Sequence, residues 1–179
     1  MYKIKKFITS GALHSLAHAL VINRLDFLNS LYEGLPAGVI ARLQRCQNAT
    51  ARLITGVHRR EPITPTLKDL HWLPVRWRIH YKILVIIYKV ITQGQPIYLG
   101  DKLEQYVPGR DLRSAADTLL LEKTYHKKRY GLRRFSVHGP WLWNKLPRGV
   151  RDSRTLVSFK KRLKTHLFTQ AFKSKMLVH

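Results

Sequence analysis

The sequence predicts a mainly α-helical fold, a bundle-like single domain carrying one small β-hairpin. Three observations lead to that expectation. From Val75 to Ile91 the chain runs without Pro or Gly and is apolar on nearly every side, as a helix surrounded by others must be. Apolar residues recur at spacings of three and four in further stretches, around Leu13, Leu43 and Leu163. A chain of 179 residues, 45% of them hydrophobic, has ample side chain for a core, and its connectors are short.

The elements follow in order. Leu13, Leu16, Ala17 and Leu20 predict an amphipathic helix from Ser10 towards Leu31, extended or restarted near Asp26, and Gly34-Leu35-Pro36 ends it. Pro36 stands where a second helix would begin, with Val39, Leu43, Cys46, Thr50, Leu53 and Val57 on its apolar face and Arg42, Arg45 and Arg52 beside it. Cys46 is thus expected as a packed thiol. Glu61-Pro62-Ile63-Thr64-Pro65 is a rigid connector, with Thr64 or Thr66 as cap of a brief turn through Leu70. The central helix starts at Pro74, whose fixed φ suits a first helical position, and Gln93-Gly94 closes it. Arg78, Lys82 and Lys89 fall in one narrow sector of its wheel.

After Gly94 the chain reads mostly as loop to about Arg113, with one helical turn near Tyr98 to Tyr106. Leu119-Leu120-Leu121 onward and Phe135-Ser136-Val137 suit two short strands joined by the basic tip Lys127-Lys128-Arg129-Tyr130-Gly131. Gly139-Pro140 permits a short helix carrying Trp141 and Trp143, stopped at Leu146-Pro147. A last helix places Leu156, Phe159, Leu163, Leu167 and Phe172 on an apolar edge and Lys160, Lys161, Arg162 and Lys164 on the remainder, capped by Ser153 or Thr155.

Charge is the exceptional quantity. Lys and Arg number 33 against 10 Asp and Glu, a net charge of +23, so the chain repels itself and attracts polyanions. Residues 123–179 hold 16 of those basic groups and a single acid, Asp152. With Cys46 alone, neither a disulfide nor a cysteine-based zinc site can form within the chain, and a reducing intracellular compartment, nucleus or cytoplasm, is expected. No apolar run approaches the roughly 18 to 20 residues needed to cross a bilayer, so no membrane partner is expected.

Chemistry is sparse. The acids are scattered, without the close carboxylate pair of metal-dependent phosphoryl transfer or glycoside hydrolysis. No P-loop or dinucleotide fingerprint occurs, so no cofactor or small-molecule substrate is expected. His14 and His18 stand one helical turn apart, yet no Glu lies between them and no third ligand is evident, so no metal site is expected. What remains is basic residues interleaved with aromatics, the tools that hold phosphates and stacked bases. The candidate contacts to nucleic acid, RNA or DNA without sequence preference, are Arg78, Lys82, Lys127, Lys128, Arg129, Lys160, Lys161 and Lys164. The four Trp residues are expected mainly in the core.

Several strings in fixed order carry a resemblance. They are Asn23-Arg24-Leu25-Asp26-Phe27-Leu28-Asn29-Ser30-Leu31, Leu43-Gln44-Arg45-Cys46-Gln47-Asn48-Ala49-Thr50-Ala51-Arg52-Leu53-Ile54-Thr55-Gly56, Asp69-Leu70-His71-Trp72-Leu73-Pro74, Arg134-Phe135-Ser136-Val137, Leu142-Trp143-Asn144-Lys145-Leu146-Pro147 and Ser158-Phe159-Lys160-Lys161-Arg162-Leu163. Together they resemble the C-terminal part of the reverse transcriptase of non-LTR retrotransposons, LINE elements, the jockey-like kind among them. The resemblance covers residues 14–172, leaving 1–13 as an unmatched N-terminal segment and 173–179 as a basic tail. It departs from the family at Leu28, where Cys is common, and at Leu132, where an acid is common. In that family the catalytic aspartates lie in a palm domain upstream, and no position here matches them. The resemblance therefore implies a thumb-side fragment, no longer an enzyme, that holds nucleic acid. Its alternative is a decayed mobile-element relic with no selected function.

Overall fold

The computed structural model describes residues 2–106, 119–122 and 135–173, and within them the chain is mainly helical, as the periodicity predicts. It divides into two compact units, Met1–Ile79 with Leu167–His179, and His80–His166.

In the first unit, a 3-10 turn over Tyr2–Phe7 precedes α1, Ser10–Ala17. The Thr9 hydroxyl caps α1 by accepting the Ala12 N–H at 3.3 Å. A π turn, His18–Ile22, carries the helix into α2, Asn23–Asp26. That wide turn decides which residues pack. Leu13, Ala17, Ile22 and Leu25 are buried, with a step of five between Ala17 and Ile22. The extra residue per turn keeps one inward face while the register shifts, so Leu20, expected inside, is 54% exposed.

Helix α3, Ala37–Thr55, ends at Gly56, whose φ of 77° is the left-handed conformation that favours glycine and whose N–H reaches the Arg52 carbonyl at 2.8 Å. Its buried face holds Gln47, Thr50, Ala51 and Leu53. Cys46 is exposed, which corrects the packed thiol expected there. The reason is an amide network that turns Gln47 inward instead. Gln47 Nε2 donates to the Leu73 carbonyl at 2.9 Å, Gln44 Nε2 donates to Gln47 Oε1 at 2.9 Å, and Gln44 Oε1 accepts the Val75 N–H at 2.8 Å. Two glutamines from α3 thus satisfy both the carbonyl before Pro74 and an orphan N–H at the start of the central helix.

Helix α4, Ile63–Asp69, begins directly after Pro62 without a side-chain cap, and Thr66 is buried in its interior rather than capping it. Pro65 sits in the first turn, where a missing N–H costs nothing. The central helix α5, Val75–Gln93, follows. Ile22, Leu25, Ala51, Leu67 and Trp72 form the unit's core, with Leu43, Ile54, Ile63 and Phe172 packed against it. Arg78 donates through Nε to Asp26 Oδ1 at 2.7 Å and through a terminal nitrogen to Asp26 Oδ2, a bidentate pair.

The second unit is built around the remainder of α5, where Ile83, Leu84, Val85, Ile87, Tyr88 and Val90 are buried. After a short helix α6, Ile97–Gly100, Gln105 and Leu120 make an isolated antiparallel bridge. The hairpin expected from Leu119 to Val137 is corrected here. Phe135-Ser136-Val137 opens a helix, α7, Phe135–Asn144, and Leu119 to Leu121 pair instead with Glu104 to Tyr106. Burial of Val137, Gly139, Pro140, Leu142 and Trp143 along one helix outweighs the strand preference of Val137. Gly139 is needed there, because a Cβ would stand 3.1 Å from Ile87 Cδ1. The tip Lys127-Lys128-Arg129 lies outside the described residues.

Two further helices complete the unit's scaffold: the short α8, Arg148–Arg151, and most of the long α9, Leu156–Lys173. Phe159, fully buried, stacks on Tyr88 with ring centroids 4.2 Å apart and lies 5.9 Å from Trp143. The Tyr88 hydroxyl donates to the Ser153 carbonyl at 2.6 Å, and burial pushes its pKa up. Asn144 acts as a substitute strand for Leu120. Its Oδ1 accepts the Leu120 N–H at 3.0 Å and its Nδ2 donates to the Leu120 carbonyl at 2.8 Å.

Candidate nucleic-acid interface

The three long helices share a charge pattern. Helices α3, α5 and α9 carry three, four and five Lys or Arg residues, and none carries an acid. Such helices cannot neutralise themselves through pairs one turn apart, so their cations either find partners elsewhere in the fold or face solvent. The structure separates the two groups.

Several arginines are held within the fold. Arg78, with 16% of its side chain exposed, is held by Asp26. Arg52 donates to the carbonyls of His58 and Glu61, at 3.4 and 2.9 Å, and fastens the loop after α3. Arg148 pairs with Asp152 at 3.0 Å, and Arg162 donates to the Gly149 carbonyl at 2.8 Å. These guanidiniums have structural work, in keeping with a planar fork that meets carbonyls and carboxylates in fixed geometry.

The lysines of α9 differ. The helix starts at Thr155, whose hydroxyl accepts the Ser158 N–H at 3.2 Å, while Ser153, the other expected cap, donates its hydroxyl to the Val150 carbonyl at 2.7 Å. That start sets the register. Phe159, Leu163 and Leu167 point into the core, and Lys160, Lys161 and Lys164 are exposed. At about 100° per residue, Lys160, Lys164 and Lys161 fall at about 0°, 40° and 100° around the axis, one continuous face. None of the three has a protein partner among the described residues. Val157, 78% exposed, stands among them one turn earlier.

Beside this face Ser158, Lys161, Arg162, Thr165 and His166 line an open recess of about 520 Å³. Arg162 is oriented by Gly149, and the Thr165 hydroxyl donates to the Lys161 carbonyl at 3.1 Å. Burial lowers the His166 pKa, which favours the neutral imidazole.

Of the expected contacts, Lys160, Lys161 and Lys164 are brought together. Lys82 is exposed on α5, while Arg78, four residues earlier, is turned to Asp26. Lys127, Lys128 and Arg129 lie outside the described residues. Trp72 and Trp143 are core residues, at 5% and 1% exposure, as expected. Trp141 is not, with 40% exposure and the Lys145 ammonium 3.4 Å from its ring centroid. The spacing of four between them was the available signal, since residues so placed meet on a helix surface. His14 lies against Trp72, with ring centroids 6.1 Å apart. No described helix is long and apolar enough to cross a membrane.

Comparisons of the chain with protein-family models, with curated proteins and with solved structures find no match.

Proposed function

We propose that the chain binds nucleic acid through its basic helices, as a non-catalytic remnant of the thumb-side region of a non-LTR retrotransposon reverse transcriptase. The observation that supports this most is the exposed, acid-free face of Lys160, Lys161 and Lys164, three cations without a partner among the described residues, on a helix whose Phe159, Leu163 and Leu167 are buried. Ammonium groups so placed gain by displacing counterions from a phosphate backbone. Lys82 extends the contact set on α5, and Lys127, Lys128 and Arg129 belong to it by sequence. Arg78 leaves the set, because its charge is already engaged by Asp26.

The test is fluorescence anisotropy of a labelled RNA hairpin and a matched DNA duplex across a salt series. Reversing Lys160, Lys161 and Lys164 to Glu removes three phosphate contacts, so the log–log salt slope should flatten by about 2 to 3. Affinity and slope equal to those of the unaltered chain would exclude α9 from the interface.

A further inference from the structure

Trp141 is the tryptophan that the fold leaves uncovered. Trp72 and Trp143 are buried and Trp77 is half-buried, whereas Trp141 remains 40% exposed on α7. The inner side of that helix is occupied by Val137, Gly139, Pro140, Leu142 and Trp143. A large indole therefore keeps on the order of 100 Å² in water. The Lys145 ammonium lies over it, 3.4 Å from the ring centroid, and the His138 ring lies 5.0 Å away at 34°.

We propose that Trp141 is a stacking platform for one base of a single-stranded nucleic acid, and that Lys145 moves from the ring to the adjoining phosphate as the base takes its place. This rests on the nucleic-acid reading above and gives it a strand preference. The exchange is favourable on general magnitudes. A cation over an exposed ring is worth about two- to fivefold in population, whereas a base on an aromatic ring contributes about 5- to 150-fold in affinity. Lys145 is exposed, on a flexible four-carbon stem, so its charge can follow the phosphate. A duplex offers no such base, because its faces are already stacked on their neighbours. An uncharged aromatic or sugar ligand would displace the ammonium and leave it without a counterpart.

Two strands of equal length separate stacking from charge: an oligothymidylate, and an abasic phosphodiester strand with the same phosphates and no bases. Titrated into the full chain, the oligothymidylate should quench tryptophan emission and bind on the order of tenfold more tightly than the abasic strand. In Trp141→Phe, which keeps a ring on α7 and whose fold is checked by circular dichroism, most of that quenching should vanish. In Trp141→Ala the two strands should bind alike. Equal affinity of the unaltered chain for both strands, or undiminished quenching in Trp141→Phe, would overturn the stacking site while leaving the basic interface standing. Binding of neither strand would overturn the basic interface, and the stacking site with it.

Discussion

Removing Asp26 separates a structural arginine from a ligand-binding one. In Asp26→Ala the Arg78 guanidinium loses both of its carboxylate oxygens, and Asn29 loses the acceptor of its Nδ2 at 3.3 Å. Two unit charges about 4 Å apart at an effective dielectric near 20 attract by about 4 kcal/mol. Asp26 is 38% exposed and Arg78 16%, so solvent screening and the cost of desolvating the guanidinium together take back about half. A coupling of about 2 kcal/mol remains, to be read from a double-mutant cycle of Asp26→Ala, Arg78→Ala and the pair. Urea unfolding measures it. At about 2 kcal/mol per molar urea, the single Asp26→Ala change should lower the midpoint by about 1 M. The shift should persist in high salt, because the arginine side is shielded from counterions. A coupling below about 0.3 kcal/mol would refute the pair and return Arg78 to the solvent-facing cations.

Three further outcomes follow from the second unit. Phe159→Ala removes a fully buried ring that contacts Tyr88 and Trp143, so chemical unfolding should show a loss of about 3 to 5 kcal/mol; less than about 1 would mean the site is not close-packed. Gly139→Val places branched atoms where a Cβ alone already approaches Ile87 to 3.1 Å, and should cost about 1 to 3 kcal/mol, against less for Gly139→Ala. An equal thermal midpoint for all three chains would show that α7 does not lie close to α5. Burial holds the His166 pKa below the ordinary value near 6.5, so the unfolded chain takes up that proton first as pH falls. Its contribution to stability is full above about pH 6.5 and is lost as the pH drops through the lowered folded value. Urea midpoints of His166→Gln should therefore vary less across that range than those of the unaltered chain; identical pH profiles would sink this assignment.

The helical class was legible because it depends on spacing, which a linear string displays. Leu156, Phe159, Leu163 and Leu167 fix one edge of α9, and the same arithmetic leaves Lys160, Lys161 and Lys164 outside. Two elements escaped this reasoning for a common reason. The π turn at His18–Ile22 changes the number of residues per turn, so a constant period carries Leu20 inward where the structure leaves it out. In α3 the decisive term is polar. Gln47 is fully buried because the Leu73 carbonyl, twenty-six positions away, accepts its amide, and this rotates Cys46 to solvent. Apolar periodicity contains no information about that bond.

The same distinction sorts the cations. Thirty-three basic groups share ten acids, so most must lack a carboxylate whatever the fold, and sequence alone establishes that much. Which ones lack any partner depends on carbonyls and on residues distant in the chain, as for Arg78 with Asp26, Arg52 with Glu61 and Arg162 with Gly149. Arginine takes those posts because one guanidinium can serve several acceptors in a plane, and the lysines of α9 are left on the surface. The exposed face of α9 around Lys160, Lys161 and Lys164 is therefore a lysine face. It follows that Lys-to-Arg replacement on α9 should preserve the salt slope, whereas Arg78→Lys or Arg162→Lys should leave binding intact and weaken the fold.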